Sequence, residues 1–455
     1  MTSSYYVIGA VLLYFVALTV VSYVTGKKHN NAQFISGGYK IPALGTFSSL
    51  FVSTIDGVGL VFLVTLAASI GFGLYWFAIG IFLTALLFCI QAPRIRKLSE
   101  EKKFLNITDL LKSQLGTVTA GLAVIIVTIL IAAHSASLLY ICGQIFSAIF
   151  GSTLTVSIIV TSVVVGGYIY FGGYKAVIAT DIVQFLAIIL LLGASLFIVD
   201  FPSVSFAQHS FLMNDSLSGV FGIIVFSLIM FYTVPAIWQR IFTSQDLRST
   251  KKSLLLFGLA YVPVYFVIIV LALTLFSMFS TIDPSQLLYT LSSGQASPFL
   301  GVILSVSLLA LTMSSLDTQV YIFLSTIASN WLKIDKESNS EKYVSVLKVL
   351  IAISFILMTV IALTISNVVS FVLSAFSLLS VLAPALFVAV YSEKESRVLD
   401  YSMATVTIFG IAVFFYMMAN AMFVDLFTSA IPGLATIIVT FVGWLAWELF
   451  DLEGN

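Results

Sequence analysis

From Tyr5 to Thr25 the chain carries no charged side chain. A helix rises 1.5 Å per residue, so about 20 apolar residues cross the hydrocarbon of a bilayer. Runs of that kind recur over 5–25, 43–69, 72–92, 117–149, 153–171, 176–199, 217–243, 253–280, 298–331, 344–366, 368–392, 401–424 and 427–448, thirteen in all. Backbone inside hydrocarbon must satisfy its own polar groups, which tandem apolar segments do by forming helices. The sequence therefore predicts an all-α polytopic membrane protein with thirteen transmembrane helices. Composition agrees: 60% of residues are hydrophobic and 9% charged, where soluble domains carry about 25% charge.

The first run is too long for a signal-peptide core and no basic residue precedes it, so it reads as a true span. The longest loops lie near 93–115, 200–216 and 281–297 and leave no room for a soluble catalytic or signalling domain. Within the first of them, "SEEKKFLNITDLLKSQLG" suggests an amphipathic helix at the membrane interface. A formal net charge of zero leaves no basic face for nucleic acid. Cys89 and Cys142 both lie in apolar runs, and no disulfide is expected.

Charge placement sets an orientation. All 20 Lys and Arg fall in or beside alternate loops. Lys27, Lys28 and Lys40 follow the first span, and a dense group from Arg94 to Lys112 follows the third. Lys175 follows the fifth, while Arg240, Arg248, Lys251 and Lys252 end or follow the seventh. Lys333, Lys336, Lys342 and Lys348 lie between the ninth and tenth, and Lys394 and Arg397 after the eleventh. The other side has Asp200, Asp215, Asp283 and Asp425. Positive loops stay cytoplasmic, so the N-terminus is expected outside and the C-terminus inside.

Two spans look interrupted. Span two reads "SSLFVSTIDGVGLVFL", with Asp56, Gly57 and Gly59 at its centre. Span seven reads "IMFYTVPAIWQR", and Pro235 removes a helical hydrogen bond there. Each alone is an ordinary kink or close packing of neighbours. Together they lie five spans apart, so blocks of five helices starting at them have opposite orientations. Matching breaks in inverted halves are the best sequence pointer to a secondary-transporter site.

A polar face sits deep in span nine, in "LTMSSLDTQVYIFLS". At about 100° per residue, Leu311, Ser314, Ser315, Asp317 and Thr318 share one side of the helix. Serine and threonine can serve as glue between packed helices, but an intramembrane carboxylate marks an ion or proton path by default. Hydroxyl and carboxylate oxygens suit hard cations. One carboxylate with hydroxyls and free carbonyls matches a single charge such as Na⁺, the carbonyls coming from the break in span two. In "GGYKAVIATDIVQF", Gly172 and Gly173 suggest a tight cytoplasmic turn. Asp181 either pairs with Lys175 near the headgroups or faces the bundle beside Asp317. His134, mid-span in "LIAAHSASLLY", is either a hydrogen-bonded structural residue or a solute contact, and Asp56 stands at the same fork.

Three stretches then resemble the sodium:solute symporter family, which includes proline, pantothenate, sialic acid and sugar symporters. "GGYKAVIATDIVQ" is similar to its GG-x-x-A-V-x-x-T-D-x-x-Q signature, "PAIWQRIFTSQDLRSTKKS" to its Pro-x-x-x-x-Arg segment, and "MSSLDTQVYIFLSTIASNW" to its ninth-span sodium motif. The resemblance implies a LeuT-type core of five plus five inverted helices, about 43–199 and 217–392, with 5–25, 401–424 and 427–448 peripheral. It implies a multi-pass protein of a bacterial inner membrane, importing a small polar solute by alternating access. Sodium would be the coupling ion, without an organic cofactor. The partners would be the solute, sodium ions and the lipid bilayer, and a monomer is expected to suffice. The family's sodium site maps onto carbonyls at Val52, Ile55 and Leu311 and hydroxyls of Ser314 and Ser315. A second cation site found in some members maps onto Asp181, Ser314, Asp317 and Thr318. Asp317 departs from the usual hydroxyl there, so a proton could replace the second sodium. Proline-type members carry Trp and Tyr eight and four residues before the span-seven Pro, where this chain has Ser227 and Phe231. With Asp56 and His134, these are the candidate solute residues.

Other classes fit less well. A solute sensor on the same scaffold usually appends a cytoplasmic signalling domain. No paired nucleophile and base suggests an intramembrane enzyme, and nothing resembles the repeated pore loop of a channel.

Overall fold

Apolar runs of this length become helices because the helix satisfies every backbone group within the segment. A computed structural model describes residues 2–26, 40–198, 217–284, 286–294, 298–332, 340–365, 368–392, 396–423 and 426–453. Lys27, Lys28, Lys333, Lys336, Lys394, Asp200, Asp215 and Asp425 lie outside the described residues, as does the outer loop near 200–216.

The helices are α1 (Thr2–Gly26), α2 (Ala43–Thr54), α3 (Gly57–Ile70), α4 (Tyr75–Lys102), α5 (Ile107–Gln114), α6 (Thr117–Phe150), α7 (Leu154–Ile198), α8 (Leu217–Thr233) and α9 (Pro235–Thr243). They continue as α10 (Leu247–Met278), α11 (Leu287–Ser292), α12 (Pro298–Thr326), α13 (Ser340–Ala362), α14 (Val368–Ser380), α15 (Ala383–Tyr391), α16 (Arg397–Ala419) and α17 (Leu426–Glu453). Among the described residues, 10 helices are long and apolar enough to cross a membrane, or 11 if the bent pair α8 and α9 counts as one span. That number is smaller than the thirteen expected segments for a local reason. Spans two and three run together through a 3-10 turn at Gly71–Leu74, and the sixth appears as the shorter apolar stretch Val177–Leu190.

Three expectations change. The turn expected at Gly172 and Gly173 does not interrupt the helix, because α7 is helical over 45 residues and holds both expected spans in one run. At 1.5 Å per residue that run is about twice the thickness of the hydrocarbon. The interfacial helix in the 93–115 loop does form as α5, closed by a capping box between Asn106 and Asp109. It packs inward rather than lying on a lipid surface: Leu110 and Leu111 are fully buried. Finally, Arg240 and Arg96 are not loop charges. Both are buried, and Arg96 donates to the carbonyls of Ile241 and Phe242 at the end of α9.

Helix α12 runs through the centre, packed on α6, α7 and α1, with α2, α3 and α9 also against it. The outward faces carry large apolar side chains such as Leu13, Ile90, Ile129, Val163, Leu190, Ile356 and Phe441. An exposed apolar surface on that scale is what a multi-pass membrane protein turns toward lipid.

Candidate functional site

Both expected breaks are present. Helix α2 ends at Thr54, Ile55 leaves helical geometry at φ −90° and ψ 77°, and α3 starts at Gly57. The Asp56 side chain caps α3 by accepting from Gly59 N–H. In an unbroken helix that N–H would serve the carbonyl of Ile55, so the cap deprives that carbonyl of its helical donor. At the second break α8 and α9 meet at Val234 with a bend of 50°. Pro235 opens α9, where its missing N–H costs nothing.

The first break lies directly on α12. A Cβ added at Gly57 would run into the Thr312 side chain. Glycine is therefore required by close approach, and Leu311, Ser314 and Ser315 lie within one turn of Thr312 on the same helix. Leu311, Ser314, Ser315, Asp317 and Thr318 are all essentially buried. Ser315 Oγ is buried and has no hydrogen-bond partner. A buried hydroxyl left unpaired costs about 1–3 kcal/mol unless something else binds it.

Ser314 and Thr318 join a second group of residues. Asp181 is fully buried and faces the bundle, while the Lys175 side chain, its other expected partner, lies outside the described residues. Its Oδ1 accepts from Ser314 Oγ, and its Oδ2 accepts from Ser49 Oγ at 2.5 Å. Arg240 Nη2 stands 3.6 Å from the same Oδ2. Arg240 also donates to Ser49 Oγ at 2.8 Å, to Thr318 Oγ1 at 2.6 Å and to Gln239 Oε1 at 2.8 Å. Its guanidinium lies 5.6 Å from the centre of the Tyr174 ring. Sequence reasoning did not place Arg240 or Ser49 in a site. The usable signal was the position of Arg240 inside the apolar run "PAIWQRIF", where an unpaired charge would be intolerable.

A cavity of about 60 Å³ opens between the two breaks. Asp56, His134 and Phe231 line it, as do Ser53, Phe77, Tyr265, Gln319 and Phe376. Ser227 does not. Its hydroxyl donates to the carbonyls of Ile223 and Ile224, and it packs where a Cβ on Gly80 would strike it. The serine points at α4 because Gly80 leaves the space, so in this structure it packs between helices instead of lining the cavity. His134 Nε2 lies 2.7 Å from Asp56 Oδ2 but off the alignment of a hydrogen bond, and neither ring nitrogen of His134 has a hydrogen-bond partner. The imidazole edge meets the Phe376 ring at 5.1 Å between centres.

Two broken helices, a buried polar helix face and a cavity beside both breaks are the features of a secondary transporter. The sodium:solute symporter family model matches residues 34–216. Among curated proteins, the osmoregulated proline transporter OpuE of Bacillus subtilis is 22% identical over 431 residues, covering 85% of this chain and 84% of that protein. Sodium/proline symporter 2 of Staphylococcus saprophyticus is 23% identical over 358 residues, covering 73% of this chain and 69% of that protein. Among solved structures, a substrate-bound, outward-open Na⁺-coupled sialic acid symporter superposes with a TM-score of 0.78 at 16% identity, covering 96% of both chains. A nucleobase-cation-symport-1 family transporter gives 0.60 at 12% identity, covering 90% of this chain and 93% of that one. The family read from the motifs is thus the one whose model matches residues 34–216, and the fold of the sialic acid symporter is shared over nearly the whole length.

Proposed function

We propose that the protein is a sodium-coupled symporter that imports a small polar organic solute by alternating access. Thirteen spans place the N-terminus outside a bacterial inner membrane, with inverted repeats over about 43–199 and 217–392. Relatives named as sodium/proline symporters support the ion and the class of cargo. One observation carries the reading: Ser315 Oγ is buried without a partner on the helix that meets the break in α2 and α3. Carbonyls of Val52, Ile55 and Leu311 with the hydroxyls of Ser314 and Ser315 would give Na⁺ five oxygens. Binding there would hold the break against α12, which links ion occupancy to the shape of the cavity.

The second cation position, from Asp181, Ser314, Asp317 and Thr318, shares Asp181 and Thr318 with Arg240. It takes an ion or a proton only in a state where Arg240 has released them. The experiment is solute uptake into proteoliposomes against external Na⁺, after a thermal-shift screen for the solute with Na⁺ or K⁺. Uptake that is equal in Na⁺ and K⁺ refutes the proposal.

A further inference from the structure

The cavity between the breaks is lined in a way that selects the charge of its solute. In transporters with discontinuous helices, the positive N-terminus of a half-helix points at the anionic group of the substrate. Here that terminus is already filled. Asp56 Oδ1 accepts from Gly59 N–H, so the chain supplies its own carboxylate at the start of α3. A solute carboxylate brought to the same place would meet a like charge in a water-poor cavity, where such repulsion is strong. The described lining holds no Lys or Arg that could take the carboxylate elsewhere.

What the lining does offer suits a cation. Phe62, Phe77, Phe226, Phe231, Tyr265 and Phe376 surround the space. Phe77 anchors this wall, stacked on Tyr265 at 5.9 Å with planes 9° apart and edge-on to Phe231 at 5.9 Å. Ring faces attract a cation within about 6 Å, most strongly when water is excluded. Two buried polar atoms of the lining have no hydrogen-bond partner among the described residues, Gln319 Oε1, an acceptor, and His134 Nδ1, while His134 Nε2 pairs with Asp56 Oδ2 at 2.7 Å. Gln319 is 3% exposed and His134 2%. An orphaned carbonyl oxygen asks for an N–H donor. Asp56 Oδ2, off alignment with His134, has a lone pair to accept a second one.

We infer that this cavity takes a small protonated amine with an apolar body and no carboxylate, its N–H groups shared between Asp56 and Gln319 and its charge over the aromatic wall. The inference rests on the cavity being the solute site, as proposed above, and narrows the solute from polar organic molecules in general to one charge class.

The test uses the purified full-length protein and probes built on one ring. Pyrrolidine carries only an ammonium, proline adds a carboxylate, and cyclopentanecarboxylate carries only the carboxylate. Binding is read as thermal stabilisation, titrated in Na⁺ and in K⁺. Pyrrolidine is expected to stabilise, and the two carboxylates are not. Asp56→Asn keeps the shape of the cap and should weaken pyrrolidine about tenfold, the loss of one charged contact. If that variant does not fold, Phe231→Ala removes a ring face without touching the cap and should also weaken it. Preference for either carboxylate, no response to any probe, or unchanged pyrrolidine affinity in the variant that folds overturns the assignment. Pyrrolidine stabilisation that is equal in Na⁺ and K⁺ supports the amine assignment and refutes sodium coupling, so the two readings fail separately.

Discussion

Arg240 and Asp181 approach to 3.6 Å in the interior of the bundle, at side-chain exposures of 1% and 0%. They come from α9 and α7, which the chain separates widely, and Ser49 of α2 bonds to both. Breaking one side of a buried pair strands the other charge, which costs about 3–5 kcal/mol, whereas removing both costs less. Arg240→Gln and Asp181→Asn should each lower thermal stability sharply in detergent, and the double variant should recover part of the loss. Additive losses in that double-mutant cycle would mean the two groups do not act together.

Ser315→Ala removes an oxygen that no protein group uses. Stability should hardly change, while the Na⁺ needed for half-maximal uptake should rise about tenfold, the scale of one hydrogen-bond-strength contact to a charge. Ser314→Ala should do both, since Ser314 also donates to Asp181. Uptake titrated against Na⁺, beside a melting curve, separates the two serines. An unchanged Na⁺ dependence in Ser315→Ala would leave the polar face of α12 as helix glue.

Asp317→Asn keeps the shape and removes a buried charge. If the second cation position operates, the variant should move fewer cations per solute or lose a pH dependence of uptake, with solute binding retained. Reversal-potential measurements of the cation-to-solute ratio at two pH values decide this, and an unchanged ratio at both removes Asp317 from the ion path.

Gly57→Ala tests whether the break must touch α12. The added methyl has no space beside Thr312, and overpacking costs about 1–3 kcal/mol. Relief by Thr312→Ala in the same chain, which removes the hydroxyl the methyl would strike, would place the clash at that contact. No loss of stability or uptake in Gly57→Ala would show that the approach is not needed.

Orientation is checked by single cysteines in a background without Cys89 and Cys142. Thr281 and Asn420 are exposed on the expected outer side, Glu101 and Glu341 on the expected inner side. Ser292 is a poor probe because it is buried. Membrane-impermeant reagent added to whole cells should label the first two and spare the others.

Much of this was legible in the sequence because the bilayer imposes a length and a polarity on every segment. The breaks at Asp56 and Pro235 announced themselves through residues that a continuous helix tolerates poorly. The one-sided face of span nine followed from spacing alone. The fate of Ser227 was not legible, since which neighbour a serine meets depends on Gly80 from another helix. Nor was the role of Arg240: its place near a cytoplasmic loop matched a charge rule, while its partners Ser49, Asp181 and Thr318 lie far along the chain. For Asp56 and His134 the sequence leaves a structural role and a solute contact open for each, and only their meeting at 2.7 Å makes them neighbours in one cavity.

The start of α2 and the end of α9 are sewn together. Ile41 N–H donates to Thr243 O at 3.2 Å, and Gln245 N–H donates to Ile41 O at 2.8 Å, a two-bond stitch between segments about 200 residues apart in the chain. Arg96 and Ser99 of α4 bind the carbonyl of Phe242 beside it, and Arg240 holds Ser49 further along. The two half-helices are therefore tied to each other, with the breaks at Ile55 and Val234 beyond the tie. Any change that tilted α2 away from α9 would have to break these bonds, so the two are expected to move together.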